Sequence, residues 1–150
     1  MTISRTDTVI VVGFLILVQG TGALAGFWLP AIAPEVGQSL GLSPSLIAYP
    51  VLILYIFAMI SSLMAGGIVR RFGAWRSSQA ALILIGVSHL MFMNGSLLFL
   101  ALGSIILGGA YGLLTPPASH LLSKIVTPKN RNLIFSIRFT GVPLLSLIHI

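Results

Sequence analysis

The sequence has no cysteine and only two acidic residues, Asp7 and Glu35, in 150 positions. Without thiols there is neither a disulfide framework nor a thiolate metal site. Both acids stand at the edges of apolar runs, so no carboxylate pair offers general acid–base or metal-ligand spacing; no cofactor and no metal is expected. Charged residues make up 7% of the chain and apolar ones 57%, and the mean hydropathy is +1.09. Those proportions exclude a soluble globular protein.

What is present is apolar sequence in long runs. No charge falls between Asp7 and Glu35, between Glu35 and Arg70, or between Arg76 and Lys124. A helix needs about 20 apolar residues to cross the hydrocarbon core. The first two intervals each hold one span with its connection, and the third holds two. The net charge of +6 comes from bases dispersed in short turns, which excludes a nucleic-acid interface and makes the lipid bilayer the principal partner. The fold class is therefore an all-α integral membrane protein, a polytopic transmembrane helix bundle.

In chain order, residues 1–7 form a polar amino-terminal tail and 8–144 carry four helices and the start of a fifth. The first run, Thr8 to about Pro30, is too long for a signal peptide and lacks its cleavage pattern. It encloses one polar cluster, Gln19-Gly20-Thr21-Gly22, while Gly22 and Gly26 have the spacing of a close helix contact. Pro30, Pro34, Gly37 and Gly41 predict a breaker-rich connection. Ser43-Pro44 predicts the N-terminus of a second helix reaching about Val69. Ser77 to Met93 is the third span, and Asn94-Gly95-Ser96 a tight turn. The fourth, Leu97 to about Leu122, contains Gly108, Gly109 and Gly112 and should bend at Thr115-Pro116-Pro117. A second basic connection turns at Thr127-Pro128. From Asn132 the chain is apolar again except for Arg138, and a fifth span is begun but not completed, so the chain is expected to be a fragment. Residues 145–150 match the translation of a transposase-end adapter used in DNA library preparation and are expected to be a non-native tail.

Between the second and third spans lies a short basic stretch, Gly66-Gly67-Ile68-Val69-Arg70-Arg71-Phe72-Gly73-Ala74-Trp75-Arg76. It resembles the signature loop of the major facilitator superfamily, with Gly66, Arg71, Phe72, Gly73 and Arg76 in place and Arg70 where the family usually has Asp. The resemblance extends over Thr8 to about Leu144, including the segment 135–143, which looks like the start of the fifth helix in many bacterial members. It implies a partial amino-terminal half of that fold and hence a secondary transporter of the cell (inner) membrane working by alternating access, inactive without the missing carboxyl-terminal half. With the amino terminus cytoplasmic, Arg5, Arg70, Arg71, Arg76, Lys124, Lys129 and Arg131 all lie inside.

In the family, the first, second, fourth and fifth helices border a central cavity. By that resemblance the candidates for the substrate pathway are Gln19, Thr21, Tyr111, Thr115 and Arg138. Tyr111 and Thr115 are equally compatible with purely structural hydrogen bonds. Arg138 either snorkels to the headgroups or faces the cavity, where it would favour a small anionic solute. The acid of the family's loop is thought to lock the outward-open state; Arg70 cannot accept hydrogen bonds, so that lock is altered. No base lies in the fourth helix, which argues against a drug–proton antiporter. His89 is the one titratable group deep in a span, but on a helix the family keeps outside the cavity, where a packing role is expected. Ser119 and His120 are adjacent on a helix and point about 100° apart, so they form no dyad, and no enzyme is expected. The other class that the residues allow is a non-transporting membrane scaffold.

Overall fold

The computed structural model describes residues 5–126 and 130–143. The turn expected at Thr127-Pro128 and the non-native tail expected at 145–150 lie outside the described residues. The chain folds into α1 (Arg5–Ser39), α2 (Pro44–Phe72), α3 (Ala74–Phe92), α4 (Leu97–Gly112), α5 (Thr115–Ile125) and α6 (Arg131–Phe139), with no strand among the described residues. In hydrocarbon a helix is the one single-segment structure that satisfies its own backbone. Three stretches, Thr8–Ser39, Ser45–Phe72 and Leu97–Ile125, are long and apolar enough to cross a membrane. The expected third span is the exception. α3 has 19 residues and opens on Arg76, Ser77, Ser78 and Gln79, so at 1.5 Å per residue it measures about 28 Å, just short of the core.

Two boundaries differ from expectation. α1 continues through Pro30 and Pro34, because each proline removes one backbone bond from a long, otherwise intact ladder. It stops at Gly41, whose φ is +63°. The Leu42 amide donates to the Gly37 carbonyl (2.8 Å) and the Gly41 amide to Gln38 (3.2 Å), a Schellman end that requires a left-handed residue. The fourth span is not merely bent but divided. Pro116 and Pro117 enter the first turn of α5 without amide hydrogens, and their rings exclude helical carbonyls four residues back, at Gly112 and Leu113. The ladder therefore breaks over Leu113–Leu114.

The basic stretch contains a turn of a single residue. Gly73 ends α2 and begins α3, with φ 82° and ψ 155° and its amide donating to Val69. Only glycine occupies that region of backbone space comfortably. A Cβ there would meet nothing within 4 Å, so conformation, not crowding, demands the glycine. Gly73→Ala should destabilise by about 1–3 kcal/mol, whereas Gly67→Ala, also in open space, should be neutral or slightly stabilising. Chemical unfolding of the micelle-solubilised protein measures both, and equal shifts would show that the turn tolerates a side chain.

α4 is the central element, packed against α2 on one side and α3 on the other. The close contact is made by Gly108 and Gly112, which bring α4 onto the backbone of α2 at Leu54 and Ala58. Gly22 and Gly26, by contrast, make room for side chains of Leu114 and Tyr111. Two cores result. The larger, with Leu54, Ala65, Ile85 and Leu107, joins α1 to α4; the smaller, around Leu15, Ala118 and Leu122, joins α1 to α5 and α6.

Candidate functional site

Arg138 is the one buried residue of α6, fully shielded at 0% exposure. It does not snorkel. Gly141, one turn on, explains the depth: a Cβ there would stand 2.8 Å from the Ile16 carbonyl, so its absence lets the end of α6 lie directly on α1. Gln19 is on that part of α1, 14 residues or about 21 Å from the helix start.

The guanidinium reaches neutral acceptors from two elements. Its Nη1 donates to Ser119 Oγ at 2.9 Å and its Nη2 to Gln19 Oε1 at 2.8 Å, with a longer contact from Nη2 to the Thr115 carbonyl at 3.5 Å. Thr115 Oγ1 also donates to Gln19 Oε1 at 3.5 Å, so one amide oxygen receives two donors. Nε is buried with no partner among the described residues. Phe139 covers one side, its ring centroid 4.9 Å from Cζ. Gln19 is nearly buried and Ser119 half-buried, but Thr115 is exposed, so the cluster opens to the outside along one edge.

The energetics of this arrangement are unbalanced. Bringing an ion out of water costs several kcal/mol even after relaxation, and each hydrogen bond to a charged group contributes about 1.5–3 kcal/mol. Two good bonds and one long one leave the charge undercompensated. No carboxylate can be recruited from α5 or α6, because the only acids are Asp7 and Glu35. Nε is the guanidinium nitrogen left without a partner among the described residues, while Nη1 and Nη2 are both engaged.

Of the sequence candidates, the fold brings Gln19, Thr115 and Arg138 together and leaves two out. Thr21 is on the opposite side of α1, exposed, donating to the Leu17 carbonyl of its own helix at 2.9 Å. Tyr111 lays its ring against Gly26, where a Cβ would come within 2.8 Å of it. Ser119 is a member that sequence reasoning missed. Its signal was the four-residue spacing from Thr115, which puts both on one helix face; its adjacency to His120, which is exposed, carries no chemistry. His89 donates from Nδ1 to the Ile85 carbonyl at 2.8 Å and stacks obliquely on Trp28, with centroids 5.2 Å apart. It is a packing residue away from the cluster.

Spanning helices, a divided fourth helix and a buried polar cluster between α1, α5 and α6 define a polytopic helical membrane protein. The sequence profile of the Major Facilitator Superfamily matches residues 11–148. The chain belongs to that superfamily. No curated protein and no solved structure matches the chain. The signature-loop residues Gly66, Arg70, Arg71, Gly73 and Arg76 cluster at the end of α2 and start of α3, well separated in sequence from the Arg138 group.

Proposed function

We propose that the chain forms part of a secondary carrier that moves a small anionic solute across the cell membrane by alternating access, with Arg138 as the residue that binds it. The observation that carries this reading is the fully buried guanidinium surrounded by neutral acceptors and left with an unpartnered Nε. A solute carrying negative charge supplies the missing compensation at the one position where the described residues hold a buried cation. The break between α4 and α5 adjoins Thr115 and gives the site local freedom, as discontinuous helices do in other carriers. Phe14 stacks on Trp75 at 5.4 Å, so the start of α1 shares an end with the basic turn, and the bias of Lys and Arg supports a cytoplasmic position for that end.

Reconstitution of the intact carrier into vesicles tests both parts. Small labelled carboxylates should enter saturably above the level of empty vesicles, and neutral solutes of similar size should not. Cysteines replacing the exposed Gln38 and Asn94 should label from outside and one replacing the exposed Trp75 from inside. Uptake confined to neutral solutes, or the reverse labelling pattern, would overturn the reading.

A further inference from the structure

α2 and α3 are joined by one residue, yet they touch each other far less than each touches α4. They splay from Gly73 and leave a crevice of about 320 Å³ lined by Ile68, Phe72, Arg76, Ser77 and Ala80, with Leu113, just past the end of α4, as its floor. Phe72 and Arg76 are at the turn end of the crevice; Ile68 and Ala80 lie one helical turn deeper, about 5.4 Å into the apolar layer. The Ser77 hydroxyl is turned away, donating to the Gly73 carbonyl at 2.8 Å, so below Arg76 the walls offer hydrocarbon.

The three arginines of this turn are not equivalent. Arg71 lies over the ring of its neighbour Phe72, 5.3 Å from the centroid, and Arg70 folds back along α2 toward Gly66. Arg76 is exposed and makes no hydrogen bond, ion pair or ring contact among the described residues. Neither α2 nor α3 contains an acid. Three larger grooves, near Pro34 and Ile47, near Trp28 and His89, and near Gly13 and Ile137, have no Lys or Arg among their lining residues. The crevice at Gly73 therefore combines an apolar slot with a guanidinium at its mouth, at the level where exposed Phe72 and Trp75 mark the membrane interface.

We infer that this crevice binds an anionic glycerophospholipid, with an acyl chain between α2 and α3 and the phosphate on Arg76. Charge complementarity selects the headgroup, since a zwitterionic lipid would bring a further cation into a turn that already holds three arginines. Juxtamembrane bases attract anionic headgroups strongly at short range. The apolar floor distinguishes a lipid from a soluble phosphate, which would gain nothing below Arg76. The site is separate from the Arg138 cluster, and its occupancy does not depend on the transported solute.

The test uses the intact carrier in a neutral detergent, with lipid retention read by native mass spectrometry. Dioleoylphosphatidylglycerol should be retained at roughly tenfold lower lipid concentration than dioleoylphosphatidylcholine, a factor that a single charge contact readily supplies. Arg76→Gln should remove that preference. Ala80→Trp, at an exposed position that leaves the protein core untouched, should fill the slot and weaken retention of both lipids. Arg71→Gln should preserve the preference, because that guanidinium is occupied by its own Phe72. Equal retention of the two lipids by wild type would overturn the inference. So would a preference that falls alike in Arg70→Gln, Arg71→Gln and Arg76→Gln, since that would mean diffuse attraction with no site.

Discussion

Arg138→Met is expected to abolish anion transport while leaving the protein at least as stable as the wild type. The two halves of that result have separate causes. The guanidinium is wholly buried, holds Ser119 and Gln19 by its Nη atoms, and leaves Nε without a partner. An apolar side chain of similar length ends the several kcal/mol of desolvation cost of the buried charge, which offsets the about 1–3 kcal/mol lost where an acceptor on Gln19 or Ser119 is left unpaired. It also removes the only cation available to the solute there. Arg138→Lys should retain some binding but lose about 10–100-fold in affinity, because an ammonium is a point charge that cannot present two parallel donors. Gln19→Glu offers the complementary result. It places a carboxylate oxygen where an amide oxygen now sits 2.8 Å from Nη2, so the guanidinium acquires an internal counterion, stability rises and the external anion is excluded. Thermal unfolding and vesicle uptake measured on the same preparations separate these effects. Loss of folded protein in Arg138→Met, or normal uptake in Gln19→Glu, would show that the arginine is structural.

Substitution of Gly112 by leucine should prevent α2 and α4 from packing and reduce the yield of folded protein more than the same change at Gly109. A Cβ on Gly112 would lie 2.3 Å from the Ala58 carbonyl oxygen and 2.8 Å from the Ser62 amide nitrogen; one on Gly108 would lie 2.3 Å from the Leu54 carbonyl. These are backbone atoms, so no rotamer change relieves the overlap and the helices must separate. Overpacking in a core costs about 1–3 kcal/mol even where side chains can yield, and Gly108→Ala and Gly112→Ala should reach or exceed that range. At Gly109 a Cβ meets nothing within 4 Å, and alanine should be tolerated. Ser61 and Ser62 tie the same pair by donating to the carbonyls of Gly109 and Gly112 at 2.6 and 3.2 Å. Bonds of this kind between membrane helices contribute on average about 0.6 kcal/mol, so Ser61→Ala should be mild. Size-exclusion profiles of detergent extracts would check the order, and equal profiles for Gly109→Leu and Gly112→Leu would mean that the close approach is not what holds the pair.

The membrane class, the helix count before the break at the prolines, and the basic turn were legible in the residues because each rests on a local property. A run without charge must be helical in lipid, Ser43-Pro44 opens a helix wherever it stands, and Gly73 connects two helices through a backbone conformation that belongs to the residue itself. Prolines were less decisive. Pro30 and Pro34 were absorbed into α1, whereas Pro116 and Pro117, adjacent to each other, together removed enough of the ladder to split the fourth span. The signature-loop resemblance already implied the family that the match over residues 11–148 establishes.

Which small residues face a backbone and which polar ones meet was decided only by tertiary structure. Gly22 with Gly26 and Gly108 with Gly112 show the same spacing, yet the first pair receives side chains and the second a helix, because α4 lies closely along α2 whereas α1 touches each of its neighbours more lightly. Gln19 and Thr21 are two residues apart and therefore point to nearly opposite sides of α1; which side would meet α5 and α6 depended on where those helices dock. For Arg138 the local sequence allowed both a snorkelling and a buried side chain. The approach of α1 permitted by Gly141, together with acceptors on Gln19 and Ser119, turned it inward, an outcome that depends on residues 119 and 19 positions away in the chain.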